Sequence, residues 1–153
     1  MSHIVVIGAG QAGVSLVAKL RSEGFDGDVT LVGAEPVLPY QRPPLSKKYL
    51  LGEMELERLF LRPEQFYADK NITLKLGNPV TAIDAVAKTV TVGEETLSYD
   101  QLALSAGSDP RRLHVGIGGD LTGVHVVRGL ADVDGMVPAV EKGGHVLIVG
   151  GGY

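Results

Sequence analysis

The order of patterns at the N-terminus constrains the fold more than any other feature of the sequence. Residues 4–7 are an uninterrupted β-branched run, typical of a strand buried on both faces of a parallel sheet. Glycines at GxGxxG spacing follow at once over residues 8–13, and then an apolar pattern of helical period ends at Gly24, a predicted C-cap. Residues 29–33 read as a second buried strand, and Glu35 stands just past its end. This order predicts a Rossmann-like α/β fold.

Each part of this pattern suits a dinucleotide ligand. Gly8 permits a tight turn, Gly10 lets a pyrophosphate approach the backbone because it lacks a Cβ, and Gly13 lets the helix pack close to the strand. The helix N-terminus offers N–H groups and a partial positive charge to phosphates. Glu35 is placed to accept hydrogen bonds from a ribose diol. The alternative is a glycine-rich turn that only joins strand to helix, but its context favours the dinucleotide site.

A proline-rich loop follows over residues 36–45 and is expected to be rigid and extended. Ser46 is predicted to N-cap a short helix over residues 47–51. Arg42 could bind phosphate as a planar fork and Lys47 as a point charge. Solvated surface charge is an equally good interpretation of Lys47.

The middle of the chain predicts further sheet structure. A short helix over residues 64–68 precedes a strand over residues 72–76. An antiparallel meander is predicted for three short strands with tight turns between them, residues 80–84, 89–92 and 96–99. Residues 102–107 predict one more buried strand, which returns the chain to the parallel sheet. A helical pattern over residues 131–140 is disturbed by Pro138.

The composition excludes several classes of function. The net charge is -4 and no Lys/Arg tract is present, so nucleic acid is not an expected partner. There is no cysteine, and the four histidines show no metal-ligand spacing, so neither a metal site nor a catalytic side chain is predicted. No apolar run reaches the ~20 residues that a membrane span needs. A cytoplasmic protein with no membrane partner is therefore expected.

The end of the chain repeats its beginning. Residues 146–149 are a β-branched and leucine run that leads into glycines, as residues 4–7 do. We predict the first strand of a second Rossmann-like domain, although a C-terminal strand with a glycine-rich tail is an alternative. The predicted domains are residues 1–112, the first segment of one nucleotide-binding domain, and residues 113–153, a crossover and the start of another.

Taken together, four motifs resemble one family. They are GAGQAG at residues 8–13, PYQRPPLSK at 39–47, SYDQL at 98–102 and GGGY at 150–153. The chain resembles FAD-dependent NAD(P)H:ferredoxin reductases of bacterial oxygenase systems, over essentially its whole length. PYQRPPLSK is the most specific of these motifs.

The resemblance implies FAD in the first nucleotide site and NADH in the second. The sequence leaves the choice between NADH and NADPH open. The pyrophosphate would lie along the glycine motif, the adenosine ribose on one acid, and the flavin half against a basic pair. The implied FAD residues are Gly8, Ala9, Gly10, Ala12, Gly13, Glu35, Arg42, Lys47, Val80, Gly107 and Arg128. The implied NADH residues are Gly150 and Gly152. One departure is Ser-Ala-Gly at residues 105–107 in place of the usual Ala-Thr-Gly, which loses a hydroxyl near FAD.

The implied function is an oxidoreductase that passes electrons from NADH through FAD to a [2Fe–2S] ferredoxin of an oxygenase or P450 system. Without cysteine, electrons are not expected to leave through a dithiol. The chain is expected to lack part of both domains and to be a poor reductase alone. The alternatives are a rubredoxin or nitrite reductase-type flavoprotein, a non-catalytic FAD-binding module, and a non-flavin NAD dehydrogenase, against which PYQRPPLSK argues.

Overall fold

A parallel sheet and an antiparallel sheet account for the strands among the described residues. The structure, a computed structural model, describes residues 2–150. The strands in this range are β1 His3–Ile7, β2 Asp28–Gly33, β3 Ile72–Leu76, β4 Val80–Asp84, β5 Thr89–Val92, β6 Glu95–Ser98 and β7 Gln101–Leu104. The α-helices are α1 Gln11–Ser22, α2 Glu64–Asp69 and α3 Leu130–Lys142. None of these helices is long and apolar enough to cross a membrane.

The parallel sheet has the strand order β3-β2-β1-β7, and every pairing in it is parallel. Both of its faces are covered. Val6 of β1 belongs to one buried cluster with Val17 of α1, whereas Val5 belongs to another with Val90 of β5. Successive side chains of a strand point to opposite faces, so a strand with cover on both sides needs apolar residues throughout. The predicted α/β fold with a parallel sheet is confirmed.

The C-cap of α1 lies one residue earlier than predicted, at Glu23, and it is followed by Gly24. This residue has a φ of +83°, a left-handed conformation that glycine adopts without strain. Its N–H donates to Arg21 O at 3.2 Å, and Phe25 N–H donates to Leu20 O at 3.0 Å. These two bonds satisfy carbonyls of the last turn and reverse the chain toward β2.

The meander is also confirmed. Strands β4, β5 and β6 pair antiparallel in that order. Asp84 closes the first turn by accepting from Val86 N at 2.9 Å and Ala87 N at 2.8 Å. Because Val90 and Val92 are buried, the meander covers one face of the parallel sheet.

β7 returns the chain to the parallel sheet as predicted, beside β1. The expectation that it is buried is wrong, since Leu104 is 68% exposed. β7 is the last strand of the sheet and pairs only with β1 within the described residues. An apolar run predicts a strand, but its place at the centre or edge of a sheet depends on distant parts of the chain.

A buried tyrosine lies in α2, which begins after Pro63 as predicted. Tyr67 is 1% exposed, and its ring meets that of Phe66 edge-on, with centroids 5.4 Å apart. Within the described residues its hydroxyl has no hydrogen-bond partner. Burial raises the pKa of Tyr67 to about 12, against the opposing effect of the Arg62 charge.

Replacing Tyr67 by Phe is expected to leave stability unchanged at pH 8 or to raise it by up to about 1 kcal/mol, because a buried hydroxyl without a bond only costs desolvation. The stability advantage of Tyr67→Phe over the wild type is expected to grow at alkaline pH. The tyrosine pKa is about 12 when folded and 10.0 as the reference value, so the unfolded chain ionises first and the wild type loses stability as the pH rises through this interval. Urea denaturation at pH 8 and pH 10.5 measures both effects. A variant less stable than wild type at pH 8 would contradict the conclusion that the Tyr67 hydroxyl makes no hydrogen bond.

The chain divides into two compact units. One comprises residues 2–41 and 56–108, and the other comprises residues 42–55 and 109–150. The first unit holds both sheets, with α1 and α2, and the second holds α3. The predicted functional boundary between residues 112 and 113 stays a prediction.

The helix predicted after Ser46 differs in the structure. The helical segment is Leu45–Tyr49, and Ser46 makes no side-chain cap bond, so the predicted N-cap is wrong. Tyr49 N–H donates to Pro44 O at 3.1 Å, one residue further back than in an α-helix. Lys47, with φ -130° and ψ -112°, interrupts the helical backbone. The helical turn begins earlier than predicted, at Leu45, whose side chain is buried.

Helix α3 is longer than predicted and continues through Pro138. A proline removes one backbone hydrogen bond, and the remaining turns of the helix persist on either side of it. Its start is capped by Asp132, whose Oδ2 accepts from Gly129 N at 2.8 Å and from Arg128 N at 3.1 Å.

The strand predicted over residues 146–149 is not formed in the structure. All four of its side chains are exposed, from 69% for Val149 to 88% for Leu147. A β-strand needs a hydrogen-bonded neighbour, and these residues pair with none in the described part of the chain. Their assignment to a second Rossmann-like domain stays a prediction.

Candidate dinucleotide-binding site

The candidate site lies at the carboxyl ends of the parallel strands. The chain runs from β1 to β2 and β3 on one side, then returns to place β7 on the other side of β1. This reversal makes the carboxyl ends of β1 and β7 a topological switch point, where open α/β sheets bind ligands. The glycine motif follows β1, and residues 105–107 follow β7. The fold therefore brings two predicted stretches to the same edge of the sheet.

Gly8 is required by the protein's own packing. Its φ is +113°, and its N–H donates to Val32 O at 2.8 Å. A Cβ at this position would lie 2.1 Å from Ser105 O. The chain can turn out of β1 only because residue 8 has no side chain.

Gly13 is also required by packing. It is buried in the first turn of α1, and a Cβ there would lie 1.9 Å from Gly8 O and 3.1 Å from Leu31 Cδ1. Ala9 lies beside Gly33, where a Cβ would come within 2.7 Å of the alanine methyl. These contacts fix α1 against β1 and β2.

Gly10 differs from both of these glycines. Its φ is -90°, and a Cβ there would meet no atom of residues 2–150 within 4 Å. Neither backbone strain nor packing among the described residues calls for glycine here. A requirement for glycine would have to come from something other than the described residues that approaches this backbone.

The N-terminus of α1 begins at the same place. Gly10 is the N-cap residue; no side chain caps the helix, and its first turn contains no acid. Gln11 and Ala12 are exposed. The first N–H groups of a helix have no partners within the helix, and they carry its partial positive charge. This arrangement suits an anion such as a pyrophosphate.

Glu35 lies just beyond β2, the strand next to β1. Its Oε2 accepts a hydrogen bond of 2.5 Å from the hydroxyl of Tyr40, and its carbonyl accepts from Gly77 N at 3.1 Å. The sequence predicted the carboxylate at this position. The sequence did not indicate that Tyr40 contacts this carboxylate, because the path of the proline-rich loop cannot be read from its residues.

Ser105 is a second residue that the sequence did not assign. Its Oγ lies 3.1 Å from Ile7 O and 3.0 Å from Gly8 O, so the hydroxyl donates to the carbonyls of the glycine turn. Its N–H also donates to Ile7 O at 2.7 Å. The departure at residues 105–107 therefore supplies a hydroxyl that supports the turn. Gly107, a predicted site residue, follows in an exposed left-handed conformation with φ +74°.

Val80 stands apart from the glycine turn, at the start of β4. Its partly buried side chain packs against the cluster that contains Val5 and Val32. It pairs with Val92, and the register shifts between Val80 and Ala82, which leaves an irregular backbone there. Its predicted contact with FAD, through the backbone, stays a prediction.

The predicted basic residues belong to the second compact unit. Arg42 and Arg128 are brought together, since Arg42 Nη1 donates to Arg128 O at 2.5 Å. Lys47 is exposed and donates to Pro43 O at 3.1 Å. Their roles toward a cofactor stay predictions.

The two glycines predicted to open the NADH site lie at the end of the chain. Gly150 is exposed and has a φ of +111°, and no atom of the described residues lies within 4 Å of its Cβ position. Gly152 lies outside the described residues.

A surface cavity of about 560 Å³ lies elsewhere in the first unit, where α1 ends and β2 and β3 begin. Arg21 lines it and donates to four backbone carbonyls, so this arginine joins chain segments instead of offering its charge to a ligand. Arg21, Phe25, Asp26, Gly27, Asp28, Asp69, Lys70 and Asn71 line this cavity.

Comparison with known proteins agrees with the geometry. The sequence profile of the pyridine nucleotide-disulphide oxidoreductases matches residues 2–153. The chain is 41% identical to a ferredoxin–NAD(P)(+) reductase of Sphingomonas sp over 98% of this chain and 36% of that protein. It is 43% identical to the rhodocoxin reductase of Rhodococcus erythropolis over 98% of this chain and 35% of that protein.

Solved structures give the same result. The fold matches the crystal structure of a covalent putidaredoxin reductase–putidaredoxin complex with a TM-score of 0.83 and 37% identity, over 91% of this chain and 34% of that chain. A ferredoxin reductase from Rhodopseudomonas palustris matches with a TM-score of 0.85 and 30% identity, over 93% of this chain and 35% of that chain. This chain spans about a third of the length of the relatives it matches. It belongs to the pyridine nucleotide-disulphide oxidoreductase family.

Proposed function

We propose that the unit β1–α1–β2 binds the ADP half of FAD, and that the protein acts in an FAD-dependent NAD(P)H:ferredoxin oxidoreductase. Gly10 is the observation that carries this proposal. Its Cβ position is open, its φ is ordinary, and it begins a helix that no side chain caps. A pyrophosphate that approaches this backbone accounts for glycine where the chain's own packing does not.

The residues present fit this cofactor. The free N–H groups at the start of α1 bind the pyrophosphate, and the absence of an acid in the first turn avoids repulsion of its charge. Glu35, at the end of the neighbouring strand, accepts hydrogen bonds from the adenosine ribose. Gly8 and Gly13 hold the turn and the helix in contact. FAD, when bound, supplies the chemistry that takes up a hydride and releases single electrons.

The electron donor and acceptor are proposed from the relatives. Those compared above are named as reductases of ferredoxin, rhodocoxin and putidaredoxin, and others at 37% identity as rubredoxin-NAD(+) reductases. We propose NADH as the donor and a [2Fe–2S] ferredoxin as the acceptor, with no cysteine of these 153 residues in the path. Anaerobic addition of NADH with a [2Fe–2S] ferredoxin, with rubredoxin or with neither distinguishes the acceptors. If NADH reduces the flavin under none of these three conditions, in a protein that contains this chain together with a complete NAD(P)H-binding domain, the proposed activity is contradicted.

Changing Gly10 to Ala tests the cofactor site. We expect the dissociation constant for FAD to rise at least about tenfold, because the added methyl occupies the space that the pyrophosphate needs. The melting temperature of the flavin-free chain should change little, since no atom lies within 4 Å of the new methyl. Flavin absorbance after gel filtration and a fluorescence titration with FAD measure the affinity.

The matched control is Gly135→Ala, which adds the same methyl within α3 and also meets no atom within 4 Å. It should leave FAD affinity unchanged. An unaltered FAD affinity in Gly10→Ala, or an equal loss in both variants, would rule out the pyrophosphate assignment.

A further inference from the structure

Tyr40 is a buried residue whose polar end is directed at one carboxylate. It is 6% exposed, and its hydroxyl donates to Glu35 Oε2 at 2.5 Å. A hydrogen bond from a hydroxyl to a charged carboxylate is among the stronger ones in proteins. Glu35 is only partly buried, and it lies just beyond the carboxyl end of β2.

The backbone fixes the position of Tyr40. This residue forms an antiparallel bridge with Phe60. The bonds on either side are Gln41 N to Leu59 O at 2.9 Å and Leu61 N to Pro39 O at 2.8 Å. The loop is thus held against a neighbouring segment of the same unit, and the buried ring has little freedom to turn away.

The other end of the contact is fixed as well. Glu35 lies just beyond β2, and its carbonyl accepts from Gly77 N, just beyond β3. A free glutamate side chain has several rotamers, and holding it in one conformation costs entropy when a ligand binds. The bond to Tyr40 removes part of that cost before binding.

We propose that Tyr40 is a positioning residue, which holds the Glu35 carboxylate so that it accepts hydrogen bonds from the hydroxyls of an adenosine ribose; this rests on the proposed function. Tyr40 does not touch the ligand in this role. Its hydroxyl fills part of the acceptor capacity of the carboxylate and orients the remainder. Residues that support binding groups in this way set how precisely those groups are placed.

The test compares FAD with its 2′-deoxyadenosine analogue in the wild-type chain and in Tyr40→Phe. The phenylalanine keeps the buried ring and the backbone bridge and removes only the hydroxyl. We expect the wild type to bind FAD at least about tenfold more tightly than the analogue, and Tyr40→Phe to lose about five- to tenfold in FAD affinity. Tyr40→Phe should weaken binding of the analogue less than binding of FAD, because one of the two ribose hydroxyls that Glu35 accepts from is missing.

Tyr67→Phe is the matched control, since it also removes the hydroxyl of a buried tyrosine. Unlike that of Tyr40, the Tyr67 hydroxyl has no hydrogen-bond partner in the described residues. It should keep the wild-type preference for FAD over the analogue. A Tyr40→Phe variant that weakens both ligands equally, or that keeps the wild-type preference, would overturn the positioning role. A merely structural role for Tyr40 would alter thermal stability without altering this preference.

The outcomes separate this inference from the proposed function. If a wild-type protein that contains this chain and the rest of the FAD-binding domain binds no FAD, the proposed function is overturned, and the positioning role falls with it. If the wild type binds FAD and Tyr40→Phe keeps the full wild-type preference for FAD over the analogue, only the positioning role is overturned. If Tyr40→Phe does not fold, 3-fluorotyrosine at position 40 replaces it. Its hydroxyl is a better donor, so ribose-dependent affinity should rise, and no change would overturn the role.

Discussion

Changing Gly13 to Ala is expected to destabilise the chain by at least about 3 kcal/mol, which is much of the stability of a domain this size. Helix propensity alone predicts the opposite, a gain of about 1 kcal/mol. The clash decides the sign, because the new methyl carbon would lie 1.9 Å from Gly8 O. Gly8 cannot retreat, since its own Cβ position is 2.1 Å from Ser105 O and its N–H bonds Val32 O. Urea denaturation followed by circular dichroism measures the loss.

Gly135→Ala again provides the control for this prediction. It makes the same change inside α3, with no neighbouring atom within 4 Å, and should raise stability by about 0.5–1 kcal/mol. A Gly13→Ala chain as stable as the wild type would show that α1 can move away from the turn, and that the close packing inferred here is not obligatory.

The three glycines of the motif show what a sequence pattern can and cannot separate. The spacing assigns one role each to Gly8, Gly10 and Gly13, but the letters do not reveal which role depends on a ligand. The structure divides them, because Gly8 and Gly13 lie against backbone atoms whereas Gly10 faces open space. Gly13 is thus a determinant of folding, and Gly10 is the informative position for binding.

Local periodicity predicted most of the fold. The strand, glycine turn and helix at the N-terminus and the three-stranded meander depend on neighbours in sequence, and both are confirmed. The exposure of Leu104 was not predictable, because a central and an edge strand look alike when only their own residues are read. Residues 146–149 have a strand composition without a strand partner in the described residues.

The sequence predicted the backbone turn and the carboxylate of the candidate site, but not the side chains that support them. The glycine turn and Glu35 follow from spacing. The Ser105 hydroxyl reaches Gly8 O across 97 positions of sequence, and Tyr40 reaches Glu35 only because the proline-rich loop turns back against residues 59–61. Contacts of this kind depend on the folded path of the chain, which single-sequence patterns do not encode.

Arg21 joins three segments of the first unit through its guanidinium group. It donates to Phe25 O and Gly27 O, both at 2.7 Å, to Lys70 O at 2.8 Å and to Asn71 O at 2.6 Å. These carbonyls belong to the turn after α1 and to the turn before β3. Because four carbonyls in different directions need a planar fork of donors, a lysine ammonium cannot replace it.

Arg21→Lys is therefore expected to lower the free energy of unfolding by about 2–4 kcal/mol, through several carbonyls left without their donors. Arg62→Lys is a close control, since Arg62 also lies over a phenylalanine ring, 5.4 Å from Phe66, as Arg21 lies 5.9 Å from Phe25. Within the described residues, Arg62 donates a hydrogen bond only to the adjacent Leu61 O. Arg62→Lys should therefore lower the free energy of unfolding by less than about 1 kcal/mol. Equal losses in the two variants would assign the effect to the arginine–ring contact, whereas the expected difference assigns it to the carbonyls that hold α1 to the turn before β3.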